Sequence, residues 1–154
     1  MYAQKQYTFV QESRNILFEY CQTILPEDFI NQNSSFGRGG SIRNLLVHIA
    51  NTYELWIAET ALKKKVTYAR YEAYENIQDV IRLFAYVDQF MTDFFELMEK
   101  SESEIEYESN GVKKTAEPFK LFSHVITHEY HHKGQILSLS RHLGYIPVDT
   151  DIIR

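Results

Sequence analysis

Four long stretches of this chain carry apolar residues at three- and four-residue steps, which is the period of an amphipathic helix. In the first, from roughly Tyr2 to Leu25, the stripe is Phe9, Ser13, Ile16, Leu17, Tyr20 and Ile24, and Pro26 ends it. The next stretch, PEDFINQNSSFGRGG from Pro26 to Gly40, is polar and glycine-rich and reads as a loop. It holds neither a GxGxxG nor a Walker pattern for cradling phosphate. Ser41 is a fitting N-cap for a second helix that runs to about Lys63 without Gly or Pro, with Leu45, His48, Thr52, Leu55 and Glu59 on one face. The third helix follows an Asn76 cap, and Ile77, Val80, Ile81, Phe84, Val87, Met91, Phe94, Phe95 and Met98 predict a core-facing stripe along its whole length.

The period then changes. EIEYESNGVKKTA alternates partly around Asn110-Gly111, a strong hairpin signal, and predicts a small exposed hairpin or extended loop. Thr115 can cap a last helix from about Ala116 to Leu143, with Pro118 in its first turn and Gly144 as its C′ residue. The tail YIPVDTDIIR is expected to pack back over the helices. Four helical segments of about 20 to 28 residues, with no βαβ alternation, predict an all-α four-helix bundle. Links of about 10 to 15 residues leave room for connectivity other than up-down-up-down.

Composition narrows the class. At 154 residues the chain predicts one domain spanning 1–154. With 44% hydrophobic residues it is too apolar for disorder, and no run approaches the roughly 20 apolar residues of a membrane span. The start, MYAQKQYTFV, lacks the apolar core of a secretory signal, and the single cysteine, Cys21, can form no internal disulfide, so a cytoplasmic location is expected. A formal net charge of −5 argues against nucleic acid or anionic lipid as a partner. The one basic run, Lys63 to Lys65, fits a solvated helix end.

Candidate chemistry concentrates in the last helix. Of six histidines, His124, His128, His131 and His132 fall within nine positions. With Gln135 they span an arc of about 100° on a helix, at 100° per residue. His128 and His132 lie one turn apart and can converge on one ion, whereas His131 points about 100° away from His132. A third ligand is available at His48, mid-helix on an inward face, as a ligand inside a bundle should be. Taken alone, His48 is ordinarily a hydrogen-bonded core histidine. For the cluster the balance reverses, because several buried imidazoles without a metal leave polar groups unsatisfied at about 1 to 3 kcal/mol each. His124, one turn earlier, ranks below these three, and His142 suits a helix C-terminus.

HEYHH, from His128 to His132, also fits the H-E-x-x-H pattern of zinc peptidases, in which the glutamate is the general base. The longer pattern wants glycine and histidine where this chain has Gln135 and Ser138, and no glutamate follows Gln135 to serve as a downstream ligand. The chain also lacks strands to pair an extended peptide. Glu129-x-x-His132 resembles a di-iron motif, but those bundles use two such motifs.

SIRNLLVHIANTYELW, together with LFSHVITHEYHHKGQILSLSRHLGYIP, resembles the DinB/YfiT-like metalloenzyme family over nearly the whole chain. That resemblance implies a four-helix bundle with up-down-down-up connectivity, often a homodimer, holding a divalent metal on three histidines. By position these are His48, His128 and His132, whereas His124 matches a histidine usually outside the ligand set, and Lys133 stands where arginine is common. Characterised relatives include thiol-dependent transferases and an isomerase that use bacillithiol, mycothiol or glutathione. The function expected is therefore a metal-dependent thiol transferase acting on a small-molecule substrate. The alternatives are a metal hydrolase and a non-catalytic metal-binding stress protein. Zinc or nickel leads for the cofactor, with iron or manganese behind. Catalytic candidates are Glu129, His124 and Gln135. The ordinary reading of Glu129 is a surface glutamate, and for Gln135 a bond to a ligand and a simple cap on a polar core weigh equally. Tyr53 and Trp56 are candidate pocket walls, with aromatic packing the ordinary reading of Trp56. Cys21 reads as a small core residue.

Overall fold

Asn76 opens the helix whose boundaries the sequence marks most sharply. Its side chain accepts from the Asp79 N–H at 3.1 Å while the Asp79 carboxylate accepts from the Asn76 N–H, a reciprocal capping box. In the computed structural model, which describes residues 2–34, 40–101 and 103–154, this helix α4 spans Ile77–Lys100 and follows α1 (Tyr2–Cys21), the short α2 (Pro26–Phe29) and α3 (Ile42–Tyr53). After α4 come strands β1 (Ile105–Ser109) and β2 (Val112–Ala116) and the last helix, α5 (Pro118–His142). The described chain is mostly helical with one small antiparallel hairpin. No described helix is long and apolar enough to cross a membrane.

Helices α1 and α3 each pack on both α4 and α5. Their buried residues, among them Val10, Leu17, Leu45, Ile49, Phe84, Phe94, Phe122 and Ile136, form one apolar cluster. Most of the α4 stripe is buried as its period predicts, with Ile81 and Met98 only partly covered. Ser41 caps α3, its side chain accepting from the Asn44 N–H at 3.0 Å.

Several expectations need correction. Helix α1 ends at Cys21, and Pro26 begins the helical turn α2 because proline fits a first helical position. The rest of the expected Pro26–Gly40 loop falls partly on residues 35–39, outside the described residues. Thr115 is not a helix cap. It lies in β2 opposite Glu106, and Glu117 takes the cap position with Pro118 next. The hairpin turn is as Asn-Gly predicts, with Asn110 at φ 53° and Gly111 at φ 74°.

The second helix departs most. At Glu54 it changes from α to π winding, which continues to Ala61, with the Leu62 N–H reaching back five residues to Ile57 at 2.9 Å. The face set by Leu45, His48 and Thr52 does not continue through this segment: Leu55 and Glu59 are exposed, and Glu54, Ile57 and Ala58 are buried instead. At the far end, Gly144 (φ 96°) closes α5 with bonds from the Gly144 N–H to Arg141 and the Tyr145 N–H to Ser140, a Schellman closure. The tail returns over the helices: the Tyr145 hydroxyl donates to Asp28 at 2.6 Å, and Thr150 is buried with its carbonyl accepting from Ser13.

Candidate metal centre

Three of the four candidate imidazoles meet where α3 faces α5. His128 and His132, one turn apart on α5, face His48 from the middle of α3, 80 positions away in sequence. His128 Nε2 lies 3.2 Å from His48 Nε2 and 3.1 Å from His132 Nε2, and the ring pairs are edge-on, with centroids 4.4 to 4.9 Å apart. One ligand atom from each residue falls within 4.8 Å of the other two. Tetrahedral nitrogens at 2.0–2.1 Å from a zinc ion would stand about 3.3 Å apart, so the two short spacings suit a common ion.

The chemistry of the donor set points the same way. A neutral imidazole carries one N–H, yet His128 Nε2 confronts two other ring nitrogens and can offer a proton to only one of them. Its Nδ1 is buried without a partner among the described residues. Burial, reinforced by the neighbouring His132 and His48, pushes His128 down to about 3, so its lone pair is available across the neutral range. His48 and His128 are half-buried and His132 is buried, which leaves the cluster reachable from one side. The Thr52 hydroxyl donates to the His48 carbonyl at 2.9 Å and sits 3.5 Å from His128 Nε2.

His124 does not join them. Its side chain is largely exposed and meets Trp56 edge-on with centroids 5.2 Å apart, and the partial desolvation there lowers its pKa. Trp56 also meets Tyr107 of β1 edge-on at 5.3 Å, and the two line a surface pocket with Leu55 and Glu59. Gln135 lies beside the cluster, its Oε1 2.6 Å from His132 Nδ1 and its Nε2 3.3 Å from His131 Nε2.

Glu129 is not a surface residue. It is 2% exposed and turned toward α1, where Arg14 Nε and NH2 donate to its two oxygens at 2.9 Å each and the Tyr53 hydroxyl adds a third bond at 2.6 Å. Arg14 also bonds Asp88 at 2.7 Å, and Tyr7 donates to the same carboxylate at 2.6 Å. Burial works against the Arg14 cation, but Glu129 overrides it and holds its pKa above the ordinary value. Both Glu129 oxygens are thus engaged in a buried ion pair. Tyr53 is fully buried in that network. Arg14 is the important polar residue that helical periodicity alone passes over. Its signal lies in the series Val10, Arg14, Leu17, Cys21, where one arginine interrupts an otherwise apolar four-three-four spacing.

Residues 1–154 match the DinB family. The chain belongs to the DinB family. It is also similar to the uncharacterized protein YizA of Bacillus subtilis (strain 168), at 23% identity over 158 residues, covering 97% of this chain and 92% of that protein. In this DinB chain Lys133, beside His132, is buried, donates to Ser13 and stands 4.0 Å over the Tyr130 ring. Burial brings its pKa down to about 8. Cys21 is buried and its thiol is pushed up to about 12 by burial, in keeping with a packing role.

Proposed function

We propose that this protein holds one divalent cation on His48, His128 and His132 and uses it to transfer a low-molecular-weight thiol to a small electrophile. The observation that carries the reading is the convergence of three imidazoles, with His128 Nε2 facing both His48 Nε2 and His132 Nε2 and one ligand atom from each residue close enough to share an ion. DinB membership and a three-histidine cluster together fit a metal-binding protein. A bound divalent cation supplies Lewis acidity that lowers the pKa of a thiol or water near neutral pH. Zinc or nickel suits three imidazoles best, with iron or manganese behind them. The chain's own part is to present three lone pairs on two rigid helices, with the partly exposed His48 and His128 leaving an approach for the substrate.

The same reading takes the helices as a four-helix bundle with up-down-down-up connectivity, and the protein as a homodimer. The ring of contacts in which α1 and α3 each pack on α4 and α5 supports the bundle, and the family resemblance supports the dimer. Glu129 serves this reading as structure rather than as a general base, since both its oxygens are engaged by Arg14 and Tyr53.

The test is to assay conjugation of bacillithiol, mycothiol or glutathione to an alkylating electrophile, with cleavage of amide and ester substrates alongside, in metal-free and metal-restored protein. Thiol conjugation that requires metal and is lost in His48→Ala supports the transferase. Metal-dependent cleavage instead would make it a hydrolase. Full activity in metal-free protein rejects both. Tight metal binding with neither activity leaves a non-catalytic metal-binding protein.

A further inference from the structure

We propose that Gln135 is a positioning residue: its side-chain amide bridges His131 and His132 and fixes the His132 tautomer that turns a bare Nε2 into the histidine cluster. Which nitrogen of a neutral imidazole keeps its proton is set by the partner of the other nitrogen. Gln135 Oε1 can only accept, and it lies 2.6 Å from His132 Nδ1, so the proton resides on Nδ1. His132 Nε2, 3.1 Å from His128 Nε2, is thereby left with its lone pair facing the cluster.

The direction of the amide matters as much as its presence. If it turned over, its NH2 group would face His132 Nδ1, the proton would move to Nε2, and that nitrogen would no longer be a ligand. At its other end the amide nitrogen, Gln135 Nε2, lies 3.3 Å from His131 Nε2 and donates to it, so the oxygen is the end that faces His132. Helix geometry makes the bridge, since Gln135 stands three residues after His132 and four after His131, both neighbours on one helix face. His131, whose ring lies edge-on to that of His132 with centroids 4.9 Å apart, is the outer partner of the bridge. His128 has no such guide, for its Nδ1 is unpartnered among the described residues. An outer partner of this kind orients a ligand ring and raises its basicity, and its loss costs about 10- to 100-fold in metal affinity.

The metal arm of this proposal rests on the metal-binding reading above, whereas the tautomer arm stands without it. In full-length metal-free protein carrying 15N-labelled histidine, long-range 1H–15N correlation near neutral pH reads the His132 tautomer. Competition against a chromophoric chelator reads the affinity for Zn2+. Wild type is expected in the Nδ1–H form. Gln135→Met, of similar length but unable to accept from His132, and Gln135→Asn, too short to reach it, are expected to lose that form and to bind Zn2+ about 10- to 100-fold more weakly. Gln135→Glu, which still accepts from Nδ1, is expected to keep the Nδ1–H form and to restore affinity. A wild-type His132 protonated at Nε2 would overturn the proposal, as would an unchanged tautomer and Zn2+ affinity in both Gln135→Met and Gln135→Asn. Failure of wild type to bind Zn2+, Ni2+, Fe2+ or Mn2+ would instead reject the metal-binding reading, with the tautomer comparison still deciding the role of Gln135.

Discussion

Arg14 and Glu129 show how the same letter can mean different things in a motif and in a fold. Spacing alone makes Glu129 the general base of an H-E-x-x-H pair. Its partner lies 115 positions upstream, and what the carboxylate does was legible only once α1 had packed on α5. His128 and His132, by contrast, were legible directly, because one helical turn separates them and helix geometry makes them face one way. Removing one member of a buried ion pair leaves the other charge uncompensated, which costs about 3 to 5 kcal/mol. Glu129→Ala is therefore expected to lower the unfolding free energy by roughly 3 kcal/mol, the low end of that range because Asp88 still pairs with Arg14. Denaturant titration checks this, and the folded fraction should keep its metal. A variant as stable as wild type, with metal affinity lost, would return Glu129 to the metal site.

Among the elements, those fixed by local chemistry were the ones the sequence made plain. The Asn76 cap, the Asn110-Gly111 turn and the Gly144 closure each depend on a few neighbouring residues. Thr115 was misplaced because a good cap residue is also a good strand residue, and the pairing with Glu106 decided between them. The π segment was illegible for a different reason: reading faces at 100° per residue presumes α winding, which ends at Tyr53.

Glu54, at the start of that segment, is buried with its Oε2 unpartnered among the described residues, and burial pushes its pKa from 4.5 up to about 7. The folded state thus prefers the protonated acid. Its contribution to stability is full below about pH 4.5 and is lost as pH rises through about 7. Glu54→Gln is expected to melt higher than wild type at pH 8, with the difference shrinking toward pH 4.5. A melting-temperature difference that does not change with pH would show that folding leaves the Glu54 pKa unshifted.

For the whole molecule, the decisive contact joins α3 to α5 and brings His48 to His128 across 80 positions. The sequence offered His48 as the remaining inward-facing histidine, and resemblance to the family added weight, but only the packing of the two helices sets the Nε2 spacings. The path between helices is long: α2 lies between α1 and α3, and the hairpin lies between α4 and α5. The site is therefore a property of the assembled fold rather than of either helix. Metal analysis of full-length purified protein by mass spectrometry tests this most directly, with His48→Ala and His132→Ala measured beside wild type. The account predicts about one divalent ion per chain in wild type and loss of that ion in both variants. Stoichiometric metal that persists in both variants would contradict it.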